Sequence, residues 1–165
     1  MPAPLPVPIE FRLPDGWLPA HPDGLDTSEV AFAAVHPHPD DGYAASITIA
    51  GQHLTPDQNL TELADIAVQQ LRDLADPVEI VSRTETGTPQ APVLIQRIHL
   101  TATTGTTRRE LALSQVYLNL RDVTDPRRHA MIRLTLTATA AQHDTVLPDF
   151  QQFLRTVRPD SGPEA

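Results

Sequence analysis

The sequence predicts one α+β domain, in which an antiparallel sheet of about six to seven strands carries two amphipathic helices. Three observations support this prediction. Runs of alternating apolar and polar residues recur along the chain, two stretches show apolar residues at helical spacing, and turn residues separate the runs. The predicted order is βββ-α-ββββ-α. Because most consecutive strands are joined by short turns, we expect them to pair antiparallel.

The first three strands precede the first helix. Apolar and polar residues alternate over 9–13, and the turn residues 14–16 end this strand before Trp17. Further strands are predicted over 30–35 and 45–50, with a turn at 21–24 and a loop over 36–42. The four prolines within residues 1–8 predict an extended lead-in.

The first helix is predicted from one apolar stripe, with Ala64 beside it. The helix has two alternative N-caps. One is Thr55, directly before Pro56, and the other is Asn59, with Glu62 three positions later. Asp76-Pro77 is expected to end the helix. The stripe consists of Leu60, Leu63, Ala67, Leu71 and Leu74.

Four strands and a second helix follow. The strands are predicted over 78–84, 93–101, 110–120 and 130–139, with turns at 87–89 and at 105 and a polar connection over 122–128. In the last strand one side is expected to be packed and the other wetter. Asp144 is the expected N-cap of the second helix, and residues 159–165 are expected to form a disordered tail. The domain itself is predicted over 9–158. The helix stripe consists of Val146, Phe150, Phe153, Leu154 and Val157.

Residues 9–17, which read IEFRLPDGW, resemble the opening of the PsbP-like (Mog/PsbP-type) superfamily, whose first strand runs into a Pro-x-Gly-Trp turn. Residues 133–138 and 149–158 are similar to its last strand and terminal helix. The Ala-, Pro- and Arg-rich composition without Lys is similar to the actinobacterial LpqN-like branch. The resemblance implies an accessory or binding role and no shared catalytic centre.

Composition excludes several functions. The 165 residues contain no Cys, so disulfides and thiolate metal sites are absent, and the lack of Lys excludes Schiff-base chemistry. A formal net charge of −9 disfavours nucleic acids as partners. No apolar run is long enough for membrane insertion. Without a secretory signal in the sequence, we expect a cytoplasmic protein, with an exported mature domain as the alternative.

The segment HPHPDD at 36–41 is the main metal candidate. His36, His38 and Asp40 supply imidazole and carboxylate donors within a proline-stiffened loop, and His21 could join them. The alternative, which we favour, is a solvated loop between two strands. We therefore assign no metal and no cofactor.

No catalytic residues are assigned. No serine lies in a Gly-x-Ser-x-Gly turn, and the histidines are scattered. The serines are Ser28, Ser46, Ser82, Ser114 and Ser161. A glycosidase-type carboxylate pair could be drawn from five glutamates, but we favour solvated charges on strands or at their ends. They are Glu10, Glu29, Glu79, Glu85 and Glu110. Trp17 is expected to close one end of the sandwich beneath a helix rather than to act as an exposed binding anchor.

Two basic pairs are candidates for contact with an acidic partner segment. They are Arg108-Arg109 and Arg127-Arg128, which flank connections between the later strands. The alternative is that these arginines are solvated and balance acidic neighbours.

The leading hypothesis is a non-enzymatic accessory or binding module, a monomer or homodimer that holds a protein partner on the exposed sheet face or along a sheet edge. A secretion-associated adaptor or chaperone is one version. The alternatives are a carrier of a small apolar ligand between sheet and helix, and a metal-dependent enzyme that uses His36, His38 and Asp40.

Overall fold

A seven-stranded antiparallel sheet organises the chain, in the order β2-β3-β4-β8-β7-β6-β5. In this computed structural model, residues 9–20, 30–55, 57–89, 91–104, 106–121 and 129–159 are described. A separate two-stranded ribbon joins β1 to β9. The strands are β1 (Ile9–Glu10), β2 (Leu18–Pro19), β3 (Val30–Val35), β4 (Ser46–Leu54), β5 (Val78–Thr88), β6 (Ala91–Thr104), β7 (Thr107–Arg121), β8 (His129–Thr139) and β9 (Arg158–Pro159).

Two helices cover opposite faces of the sheet. Helix α1 (Leu60–Leu74) packs on β5, β6 and β7, and helix α2 (His143–Thr156) packs chiefly on β8 and β4. The alternation of side chains along β8 separates the two faces, since Leu134 packs with α2 and Met131 packs with α1. Among the described residues, no helix is long and apolar enough to span a membrane.

Each helix covers only part of its face of the sheet. On the α2 side, the part of the face formed by β5 and β6 is open to solvent. Ser82, Thr84 and Thr86 are exposed there, and Ile95 keeps 43% of its surface accessible. We call this open area, the α2-side face of β5 and β6, the uncovered face.

The predicted α+β class and antiparallel sheet are confirmed, and the observed order has one more strand before α1. That strand is β2, which contains only Leu18 and Pro19 and pairs with β3. The predicted first strand is shorter than expected and ends at Glu10. Residues 1–8, 21–24 and 122–128, which carry other predictions, lie outside the described residues, as do 160–165. Pro159, predicted as the first residue of the tail, pairs with Ile9 in β9.

Several local expectations are wrong. Leu74 is 52% exposed because it is the last residue of α1, whereas Val68, outside the predicted stripe, is buried. Gly87 lies within β5 with a φ of +84°, opposite Pro92, rather than in the turn. The N-cap of α2 is Gln142, so Asp144 falls inside the first turn. The side of β8 predicted to be wetter is largely packed, with Met131 and Thr135 both buried.

Candidate functional site

A group of polar side chains lies where α2 begins, at the border of the uncovered face. Ser114 on β7 stands opposite Arg97 on β6, and Arg97 in turn stands opposite Ser82 on β5. These three residues share the α2 side of the sheet because cross-strand partners point to the same face. We call the set Ser114, His143, Asp144, Arg97 and His99 the α2-start cluster.

Ser114 and His143 form the central contact of this cluster. Ser114 Oγ lies 2.8 Å from Nε2 of His143, the first residue of α2. On the other side of the ring, Nδ1 lies 3.4 Å from Oδ1 of Asp144. His143 is buried, Asp144 is exposed, and 8% of the surface of Ser114 is accessible to solvent. The ring therefore bridges a serine hydroxyl and a solvated carboxylate.

The environment of His143 favours the neutral imidazole. Burial is the main cause that lowers its pKa from the usual 6.5, and the nearby charges of Arg97 and His99 act in the same direction. The hydrogen bond and charge of Asp144 oppose this effect. With Nδ1–H directed at the Asp144 carboxylate, Nε2 is left to accept the hydrogen bond of the Ser114 hydroxyl, which is the tautomer we assign.

A shallow pocket of about 240 Å³ lies beside the cluster, near the ends of β5, β6 and β7. Its lining includes Glu79, His99 and Glu110, together with Pro77 and the backbone corner at Ala140. Glu79 is the cross-strand partner of His99. The pocket therefore has two carboxylates and one imidazole in its lining.

Strand β5 is a long edge strand. It contains eleven residues and pairs with β6 along one side, and among the described residues no strand pairs with its other side. Val81, the unpaired residue at an irregularity in the β5–β6 pairing, is 46% exposed. Arg83 turns inward instead, where it donates to Gln96 and forms an ion pair with Asp65 on α1.

The loop residues predicted as metal candidates are used in local contacts. His36 Nδ1 accepts a hydrogen bond from the backbone N–H of His38 over 3.1 Å, and the Asp40 carboxylate accepts one from the Thr139 hydroxyl. Within the described ranges, no three His, Asp or Glu side chains converge as metal ligands. His21 lies outside those ranges.

The side chains of the first basic pair, Arg108 and Arg109, do not form one patch. Arg108 and Arg109 are adjacent on β7 and so point to opposite faces. Arg108 donates to the backbone oxygen of Asp76. Arg109 donates to the backbone oxygen of Asp41 over 2.6 Å and to the Asp41 carboxylate over 3.3 Å. Arg127 and Arg128 lie outside the described residues, so a patch shared by the two pairs stays a prediction.

The structure confirms the packing role predicted for Trp17. The ring is buried in the core beneath α2, and its Nε1 donates a hydrogen bond to Asp149. The turn before it closes with a hydrogen bond from Trp17 N to Pro14 O, and Gly16 supplies a φ of +87° at the position of a type II turn that favours glycine.

A polar network that the sequence pattern did not reveal lies buried beneath α1. Gln96 Nε2 donates to Gln115 Oε1 over 2.7 Å, and Tyr117 Oη donates to the same oxygen over 3.1 Å. Burial raises the pKa of Tyr117, so its hydroxyl stays protonated and remains a donor. The available signal was the alternation of β6, which places Gln96 on the inward side with Leu94 and Ile98.

The described geometry defines an α+β sandwich with a partly open sheet. No protein-family model matches the sequence, and no curated protein matches it significantly. Solved structures do match. LpqN of Mycobacterium tuberculosis, involved in cell envelope biogenesis, aligns with a TM-score of 0.63 and 13% identity over 93% of this chain and 86% of LpqN.

Two further structures align over nearly the whole chain. Cyanobacterial PsbP from Synechocystis sp. PCC 6803 has a TM-score of 0.60 and 15% identity, covering 92% of this chain and 86% of its own. The Ran-binding protein Mog1p of Saccharomyces cerevisiae has a TM-score of 0.55 and 12% identity, covering 92% and 89%. The chain therefore has the Mog1/PsbP-like fold, which confirms the resemblance seen in residues 9–17.

Proposed function

We propose that this protein is an accessory binding module that holds an extended segment of a protein partner along β5. The observation that carries the proposal is the free edge of β5, which leaves one side of an eleven-residue strand without a partner strand among the described residues. The backbone N–H and C=O groups of such an edge can accept an additional strand. An adaptor or chaperone for a secreted protein is the concrete form of this role.

The side chains around β5 suit a partner segment that alternates apolar and basic residues. Val81 and Ile95 expose apolar surface next to the edge, where they can pack against alternate side chains of an added strand. Glu79 and Glu110 line the pocket at the same end, and Glu85 is exposed farther along β5. With a net charge of −9, the protein also attracts a basic segment over a longer range.

Partner capture with matched variants tests this proposal. Val81→Lys introduces a positive charge at the edge of β5, whereas Ile66→Lys makes the same type of change at an exposed position on α1. Proteins recovered from the native source by the wild type would be identified by mass spectrometry and the leading candidate purified. We expect Val81→Lys to weaken binding of that purified partner at least tenfold and Ile66→Lys to leave it unchanged.

Hydrogen exchange distinguishes strand addition from other contacts. If a partner strand pairs with β5, amides in Val78–Thr88 become protected in the complex, because the added strand supplies acceptors for N–H groups that now face solvent. Equal weakening by both lysine variants, or a partner that leaves exchange in β5 unchanged, would contradict the proposal.

A further inference from the structure

We propose that Ser114 is a nucleophile that accepts an acyl group from an activated ester or thioester. This goes beyond the binding role and does not depend on it. The observation is the chain of contacts in the α2-start cluster, in which Ser114 Oγ, the His143 ring and the Asp144 carboxylate follow one another at 2.8 Å and 3.4 Å. A hydroxyl bonded to a base that is itself oriented by a third group is the arrangement that activates serine.

The state of His143 suits a general base. A neutral ring can take a proton, and burial lowers the pKa of His143, which favours the neutral form. Asp144 acts as a positioning residue, because its carboxylate holds the Nδ1 proton and leaves Nε2 free to act on Ser114. The exposure of Asp144 to water weakens this influence, so its removal should have a smaller effect than removal of His143.

The acyl donor approaches from the uncovered face. Ser114 lies at the border of that face, and its cross-strand partner Arg97 is half-buried on the same side. The guanidinium of Arg97 is a cation that can stabilise negative charge developing on the carbonyl oxygen. It also favours donors that carry a carboxylate or phosphate group near the reacting carbonyl.

The chemical step is an acyl transfer. His143 Nε2 removes the proton from Ser114 Oγ as this oxygen bonds to the carbonyl carbon, and the carbonyl electron pair moves onto its oxygen. When the carbonyl reforms, the bond to the leaving group breaks, and the leaving group departs with that electron pair. The proton passes from His143 to the leaving group or to water. The product is an ester on Ser114; hydrolysis of that ester is not part of the proposal.

The test uses p-nitrophenyl acetate with the full chain. We expect one acetyl group per chain in the intact mass, located on Ser114 by peptide mapping. Ser114→Ala should abolish this label, and His143→Gln should slow acetylation by about 100-fold, the lower end of the contribution of a general base. Ser82→Ala, an exposed serine on the same side of the sheet, is the matched control and should react as the wild type does.

Peptide mapping of the wild type keeps the proposal testable even if a variant fails to fold. Acetylation at other residues only, or acetylation of Ser114 no faster than in the urea-unfolded chain, would overturn the proposal. So would a His143→Gln protein that folds and reacts at the wild-type rate. None of these results bears on strand addition at β5, so the two proposals fail separately.

Discussion

Trp17 Nε1 donates a hydrogen bond of 3.0 Å to Oδ2 of Asp149 and so joins the N-terminal turn to α2. The indole packs in the same core cluster as Phe150 and Phe153, and it makes a T-shaped contact with the His36 ring at 5.2 Å between centroids. One residue thus connects the first turn, the loop after β3 and the second helix. Packing of the ring and the hydrogen bond of its nitrogen should contribute separately to stability.

Trp17→Ala is expected to lower the free energy of unfolding by about 3–5 kcal/mol, the usual cost of removing a buried aromatic ring. Asp149→Ala should cost about 1.5 kcal/mol, because it leaves the buried indole N–H without its charged acceptor. Urea unfolding followed by circular dichroism measures both. The exposed Asp73 on α1 offers a control, since Asp73→Ala should change stability by less than about 0.5 kcal/mol. A cost below 1 kcal/mol for Trp17→Ala would show that the ring is not packed as described.

Asn59 is the residue that begins α1. Its Oδ1 accepts the backbone N–H of Glu62 over 2.8 Å, while the hydroxyl of Thr55, the other candidate cap, donates to Asp57 instead. Asn59→Ala should therefore lower the free energy of unfolding by about 1 kcal/mol, whereas Thr55→Ala should have less than half that effect. Urea midpoints of the two variants decide between the alternatives, and the reverse order would place the start of the helix at Thr55.

Much of the fold could be predicted from periodicity. The stripe from Leu60 to Leu71 identifies a helix whose inner face is fixed by burial, so local pattern and tertiary structure agree there. In β8 the pattern identifies the strand but not its burial, because both of its faces are packed. Strand β2 has no such pattern, because a two-residue strand exists only through its pairing with Val35 and Ala34 of β3. Leu74 was wrongly predicted to lie on the buried stripe, because the helical pattern does not reveal where the sheet beneath the helix ends.

The candidate site could not be predicted in the same way. Ser114 and His143 are 29 positions apart, on a strand and on a helix that cross only in the folded chain. No local motif marks either residue, since the contact depends on the register of β7 with β8 and on the residue at which α2 begins. The edge role of β5 likewise depends on the strand order of the whole sheet.

The buried amide pair beneath α1 should be sensitive to loss of one partner. Gln115→Leu removes the acceptor shared by Gln96 and Tyr117, so two buried donors lose a hydrogen bond. We expect a loss of about 1–3 kcal/mol in the free energy of unfolding. Gln69→Leu, on the exposed surface of α1, is the matched control and should be nearly neutral. The double variant with Gln96→Leu should cost less than the sum of the single changes, because the donor of Gln96 is removed together with its acceptor; additive costs would contradict the network.

The His143 ring should make stability depend on pH. Its pKa in the folded chain is lowered from 6.5 by burial, so between these two values the unfolded chain binds more protons than the folded chain. The stability associated with the neutral ring is fully present above pH 6.5 and is lost as pH falls toward the folded pKa. The groups that face the ring are Ser114 on β7, Arg97 and His99 on β6, and Asp144 on α2 itself.

Urea unfolding at several pH values between 5 and 8 measures this dependence, and the shift of the His143 ring protons in NMR spectra reports the folded pKa directly. Below pH 6.5 we expect the wild type to lose stability more steeply than His143→Gln does. The difference in slope is at most about 1.4 kcal/mol per pH unit, the value for one proton. His53→Gln, an exposed histidine on β4, should keep the wild-type dependence. If His143→Gln, like the control, loses stability in parallel with the wild type as the solution is acidified, His143 does not titrate with the lowered pKa. The neutral ring assigned to the α2-start cluster would then be wrong.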